Sequence, residues 1–233
     1  LQNVEQMSTS YPEAVEAVSL SPTLVVENDP SMQERFRYIL STLGCDEPQI
    51  VWTESGETAM QLLESQRFGV ALVDIGLPDG SGIELIDWLQ AHQPKVPAVA
   101  VSAKRTDETI FSALRAGAVA YLLKERDDLE LSIGLRSIEQ GGAPIDAAIA
   151  RRILAWDSSH AADSPADSDT TLSLRERKML ELVVQGRSYS DIAETLSAPK
   201  LALERRTKGI YRKLALGSRA ETAHAGGEDS FSR

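Results

Sequence analysis

The chain has 233 residues, 42% apolar and 25% charged, with a formal net charge of −11, a makeup expected of an ordinary soluble protein of one or two domains. No stretch approaches the length of a membrane span, the first twenty residues lack the basic start and apolar core of a secretory signal, and the one cysteine, Cys45, excludes an internal disulfide and fits a reducing, cytoplasmic setting. The negative total argues against nucleic-acid binding by the chain as a whole, yet residues 172–219 hold eleven Lys or Arg against five Asp or Glu, which predicts two domains with different partners.

Leu1 to Leu20 has no clear period and reads as a disordered leader. From Thr23 to Gln140 short apolar runs alternate with helical patterns. Thr23 to Glu27, Gln49 to Trp52, Gly69 to Asp74, Val96 to Val101 and Val119 to Leu123 read as strands. Helices are expected between them: Met32 to Leu43, stopped by Gly44, then Ser55 to Gln66, Gly82 to His92, Thr106 to Ala116 and Asp127 to Gln140. Ser81 and Glu84 form an S-x-x-E capping box before the third of these. Five such units imply a doubly wound α/β domain, 21–141, with a five-stranded parallel sheet covered by helices on both faces.

Pro144 to Trp156 could add one more helix, and the small, acidic, aperiodic run Asp157 to Thr171 reads as a flexible linker, together residues 142–171. A small all-α domain follows over 172–224, with a disordered tail at 225–233. Its helix starts are marked by capping boxes at Ser173 and Glu176, Ser188 and Asp191, and Ser218 and Glu221. Gly186 and Gly217 stand where C-terminal caps belong. The helices Ser188 to Leu196 and Pro199 to Leu214 are joined by only a few residues, which is helix-turn-helix spacing.

In a parallel sheet the carboxyl ends of the strands share one edge, so residues far apart in sequence converge there. The predicted ends carry Glu27, Asn28 and Asp29 after the first strand, Asp74 after the third, Ser102 after the fourth and Lys124 after the fifth. Acids, a hydroxyl and an ammonium meeting at one edge suggest magnesium and a phosphoryl group. Mg²⁺ prefers oxygen ligands, and a carboxylate can accept a phosphoryl group whose oxygens are neutralised by cations. An aspartate-nucleophile phosphatase is the competing chemistry. It normally wants a second carboxylate two residues after the nucleophile, where this chain has Gly76.

With these residues in view, Thr23 to Gln140 resembles the flavodoxin-like receiver domain of bacterial two-component response regulators. The resemblance implies that Asp74 accepts the phosphoryl group from a sensor histidine kinase. It implies that Glu27, Asn28, Asp74 and the Gly76 carbonyl hold Mg²⁺, and that Ser102, Lys124 and Tyr121 are the phosphate-contacting and switch residues. The family usually has a second carboxylate where this chain has Asn28, so a functional but weaker metal site is expected.

The segments Leu172 to Leu196 and Ile210 to Glu221 resemble the two ends of a LuxR-type DNA-binding domain of the NarL/FixJ subfamily. At 100° per residue Leu203, Ile210 and Leu214 share one helix face, and Arg205, Lys208 and Arg212 the opposite one. An amphipathic surface helix and a helix docked in the major groove both fit that pattern. By resemblance Arg205, Lys208 and the divergent Glu204 hold the DNA-facing positions, and Arg212 and Lys213 are expected to bind DNA beside them. The expected function is a transcription regulator, not an enzyme: a receiver phosphorylated on Asp74 controlling binding to double-stranded DNA, acting as a homodimer when active. The alternative is an atypical regulator that works without phosphorylation or through protein contacts of a diverged output domain.

Overall fold

A computed structural model of the chain describes residues 18–80, 82–104, 106–145, 147–160, 171–199, 202–203 and 205–214. The order is β1 (Thr23–Val26), α1 (Pro30–Thr42), β2 (Ile50–Thr53), α2 (Gly56–Ser65), β3 (Val70–Asp74), α3 (Gly82–His92), β4 (Ala98–Ser102), α4 (Asp107–Ala116), β5 (Ala120–Leu123) and α5 (Asp128–Glu139). Then come α6 (Ala147–His160), α7 (Leu174–Val184) and α8 (Tyr189–Thr195), with further helical backbone at 202–203 and 205–214. Among the described residues no helix is long and apolar enough to cross a membrane.

The five strands form one parallel sheet in the order β2-β1-β3-β4-β5. Successive side chains point to opposite faces, and both faces are buried. Leu24, Val26, Ala71, Val73, Ala98 and Ala100 face one core layer, while Val25, Val70, Leu72, Val99 and Val101 face the other. On the second side α1 closes the layer with Met32, Phe36, Ile39 and Leu40, an i, i+4, i+7, i+8 stripe. The direction of winding reverses between β1 and β3, each of which has its sequence neighbour on its far side. Crevices at such a switch point open at the carboxyl ends of the strands, which fixes where a ligand can bind.

Several boundaries differ from the sequence reading for local reasons. Pro97 has no N–H for a ladder bond, so β4 starts at Ala98, while the Pro97 carbonyl still accepts from Ala71 N at 3.0 Å. Gln49 belongs to a short 3-10 turn, Glu47–Gln49, and β2 starts one residue later. The turn after β3 depends on a close approach at Gly82: a Cβ there would collide with the Asp74 carbonyl and stand 2.8 Å from Ile75 Cα. Gly117 ends α4 in the left-handed region at φ 111°. Capping boxes are present at Ser173 with Glu176 and at Ser188 with Asp191. The leader up to Ala17, Ser81 with its expected cap, Gly217, Ser218, Glu221 and the tail lie outside the described residues.

The expected linker is corrected at its start. The acidic run does not begin loose at Asp157, because α6 continues to His160 and Asp157 is 1% exposed. Its Oδ2 lies 2.5 Å from Arg177 Nη2 of α7, and its Oδ1 accepts from Leu172 N at 3.1 Å. This carboxylate therefore joins α6 to the start of α7. Helix α6 also touches α4, so one apolar cluster runs from the sheet through Ile149 and Ile153 to Met179, Leu180 and Ile210. Asp157→Ala strips Leu172 N of its acceptor and leaves Arg177, partly exposed, able to rehydrate. The expected cost is about 1–3 kcal/mol, read as a lower urea midpoint of the C-terminal unit; an unchanged midpoint would contradict the role assigned to this pair.

Candidate functional site

Two carboxylates converge at the switch point because each closes a fully buried apolar strand. Glu27 follows β1 and is 1% exposed, and Asp74 ends β3 and is 4% exposed. The cation between them comes from the turn after β5. Lys124 Nζ donates to Glu27 Oε1 at 2.8 Å and to Asp74 Oδ2 at 2.9 Å. It lies 2.6 Å from Glu27 Oε2 as well, in an ion-pair contact without the angle of a hydrogen bond. The other Asp74 oxygen, Oδ1, accepts from Gly76 N at 2.8 Å.

The charges shift one another. Burial pushes the Glu27 carboxyl above its ordinary range, against the hydrogen bonds from Lys124 and Asp29 N. Burial opposes the Lys124 charge, but the hydrogen bonds to Glu27 and Asp74 outweigh it and hold the ammonium above its ordinary range. Asp29 lies outside this cluster. It caps α1, accepting from Ser31 N at 2.9 Å, and its bonds with Ser31 hold its carboxyl below the usual range.

Ser102 and Tyr121 stand nearby and are linked through one backbone unit. Ser102 Oγ accepts from Lys104 N at 3.0 Å, and Tyr121 donates from its hydroxyl to the Lys104 carbonyl at 2.7 Å. Tyr121 is 5% exposed, and its burial raises the phenol pKa. The backbone role of Lys104 leaves no mark in the sequence. Neither does that of Arg35, which donates to the carbonyls of Lys124 and Arg126, each at 2.7 Å, and pairs with Asp128 at 2.7 Å. This α1 guanidinium fixes the turn that carries Lys124.

Among the described residues no three His, Cys, Asp or Glu side chains lie together as a metal-holding group. Glu27 and Asp74 are the two carboxylates present, and Asn28 and Gly76 are exposed beside them. Every donor is a hard oxygen once the Asn28 amide and the Gly76 carbonyl are counted. That set fits Mg²⁺, which usually takes one or two carboxylates and keeps its waters. Buried Glu27 Oε2 makes no hydrogen bond and already faces one cation, the Lys124 ammonium at 2.6 Å.

In the C-terminal unit the apolar face is as expected: Leu203, Ile210 and Leu214 are buried. Arg205 and Arg212 are exposed. Lys213 does not belong with them, because its ammonium lies 2.7 Å from Glu176 Oε2 and donates to the Thr171 carbonyl at 3.0 Å. It ties the helical stretch to the start of α7 and is committed to that contact. Lys208 is half-buried, its pKa lowered by burial and then by Arg212. Glu204 lies outside the described residues.

Comparison with known proteins divides the chain in the same way. Residues 23–135 match the family model of the response regulator receiver domain, and residues 170–225 that of the bacterial regulatory proteins, luxR family. The chain is 27% identical over 189 residues to the DNA-binding transcriptional activator DevR/DosR of Mycobacterium tuberculosis, covering 80% of this chain and 86% of that protein. It is 26% identical over 200 residues to the nitrate/nitrite response regulator protein NarL of Escherichia coli K12, covering 86% and 92%. Its fold is similar to that of RcsB from Salmonella enterica serovar Typhimurium, solved on promoter DNA with phosphomimetic BeF3−, with a TM-score of 0.53 at 19% identity over 84% of this chain and 93% of that one.

The charges of this site bear on metal affinity and on stability. At 4 Å even bulk water leaves about 1 kcal/mol between unit charges and about twice that toward a divalent ion, so Asn28→Asp should tighten Mg²⁺ binding by about tenfold or more in calorimetric titration. Equal affinities would contradict the effect assigned to Asn28. Lys124, raised in the native state, contributes stability in full below its unfolded value of 10.5 and loses it as pH rises through the native value. Glu27 is also raised, so the native state binds the extra proton and stability falls as pH rises from 4.5 to its native value. Urea midpoints against pH should therefore show an alkaline fall that shrinks in Lys124→Met, and an identical fall in the variant would refute the linkage.

Proposed function

We propose that Asp74 takes the phosphoryl group in this chain, which belongs to the NarL/FixJ response regulators, transcription regulators that join a receiver domain to a LuxR-type DNA-binding domain. Phosphorylation controls DNA binding in such a two-domain regulator. A receiver domain implies a histidine kinase as the donor. The observation that carries the assignment is the Lys124 ammonium held 2.9 Å from a buried aspartate at the switch point.

The chemistry needs a nucleophile, a route for the leaving group and cations for the phosphoryl oxygens. An Asp74 carboxylate oxygen attacks phosphorus in line, the bond from phosphorus to the kinase imidazole nitrogen breaks, and that nitrogen keeps the electron pair and takes a proton. The product is an acyl phosphate. Lys124 moves its hydrogen bond from the Asp74 carboxylate to a phosphoryl oxygen, keeping Glu27 as its second partner. Mg²⁺, when bound by Glu27, Asn28, Asp74 and Gly76, supplies the remaining positive charge. Ser102 turns its hydroxyl toward the new anion and releases Lys104 N. Tyr121 then loses its fixed acceptor and repacks, altering the face of α4 on which α6 rests.

The output side reads DNA through Arg205, Lys208 and Arg212 on one helix, with phosphate contacts dominating affinity. The active species is a homodimer in the cytoplasm. A second reading, control without phosphorylation, is favoured by one observation: Asn28 stands where a second acid would help to hold the metal.

Anisotropy of a labelled duplex bearing a selected binding site separates the two. Beryllofluoride with Mg²⁺ should strengthen binding by the wild type and leave Asp74→Asn unchanged. Arg205→Ala and Arg212→Ala should each lower the slope of log K against log salt by about one. Equal response of wild type and Asp74→Asn would contradict the phosphoryl reading and support the second.

A further inference from the structure

The helical stretch 205–214 lies against the edge of the receiver opposite to the carboxylate site. There a cavity of about 320 Å³ separates the two domains. Its receiver wall is the end of α3, the turn after it and the segment before β5, with Gln90, Lys95 and Gly117, and its output wall is Lys208, Tyr211 and Arg212. Among the described residues no acidic side chain lines it. Among those residues, too, Lys95, Lys208 and Arg212 have no salt-bridge partner, in contrast to Lys213 on the same helix, which is paired with Glu176.

Lys95 and Arg212 are exposed and shed part of their mutual repulsion to water, so the lack of a counter-charge falls mainly on half-buried Lys208. Lys208 bears this out: it is half-buried, and burial and then Arg212 lower its pKa, the condition of an ammonium without an anion. Gln90 and the backbone at the turn add polar groups beside the charges. Tyr211 holds the output wall in place, donating from its hydroxyl to the Pro144 carbonyl at 2.9 Å.

We infer that this cavity binds a small phosphorylated molecule with at least two phosphate groups, bridging Lys95 of the receiver to Lys208 and Arg212 of the output helix. Two phosphates match three cations spread over both walls, and the space between the domains admits a small anion while excluding a duplex. Occupancy would clamp the output helix on the receiver and compete with DNA for Lys208 and Arg212. The competition rests on the DNA-binding reading above, whereas the binding itself does not.

The test is calorimetric titration of sodium pyrophosphate into the full chain at low salt without divalent metal. The wild type should bind one equivalent, with affinity lowered by about tenfold or more in both Lys95→Ala and Lys208→Ala, the loss of one charge-assisted hydrogen bond. Lys95→Arg should restore it, and Arg187→Ala, in an exposed loop of the output domain, should bind as the wild type does. Lys95→Ala should keep wild-type affinity for duplex DNA, so the inference can fail while the DNA reading stands. Absence of saturable binding, or Lys95→Ala binding pyrophosphate as tightly as the wild type, would overturn it.

Discussion

One ammonium between two buried carboxylates sets the resting state of this protein. Glu27 and Asp74 are both nearly sealed from solvent, and two such charges at the ends of neighbouring strands repel unless a cation stands between them. Lys124 supplies it, at 2.8 Å from one and 2.9 Å from the other. The rest of the receiver holds that cation in place. Arg35 reaches from α1 to grip the turn that carries it, and the strand order brings β1, β3 and β5 to one edge.

The path from this site to the output domain is continuous in the packing. Ser102 and Tyr121 share the Lys104 backbone, α4 rests on α6, and α6 is tied to α7 by the Asp157 and Arg177 pair. The far end of the output helix returns to the segment that joins α5 to α6, where Tyr211 donates to the Pro144 carbonyl. A change at Asp74 that alters the seat of Tyr121 therefore meets elements already in contact with the DNA-binding unit. In the proposed metal site Asn28 leaves two carboxylates, Glu27 and Asp74, to supply the negative charge.

The α/β domain is legible in the sequence because its physics is periodic. Each buried strand is an apolar run, and each run ends on the polar residue that faces the switch-point edge, so Asp74, Ser102 and Lys124 stand out from the pattern alone. What stays hidden depends on pairs distant in sequence. Arg35 looks like any solvated helix arginine until the Lys124 and Arg126 carbonyls are found beside it. Asp157 opens an acidic run that resembles a linker, and only the position of Arg177 shows why it is buried. Lys213 shares its helix with the exposed Arg205 and Arg212, but Glu176 claims it while also completing the cap at Ser173. Lys208 fits the outward stripe by helical angle, although it is half-buried against the receiver.

The measurement closest to the central claim is the intact mass of the protein after incubation with a small phosphoryl donor and Mg²⁺. The expected result is a single phosphoryl adduct that hydroxylamine removes, as it does an acyl phosphate, and that is absent from Asp74→Asn. An adduct of the same size and lability on Asp74→Asn, or no adduct on the wild type, would contradict the role of Asp74 and its shared lysine as the phosphoryl-accepting pair.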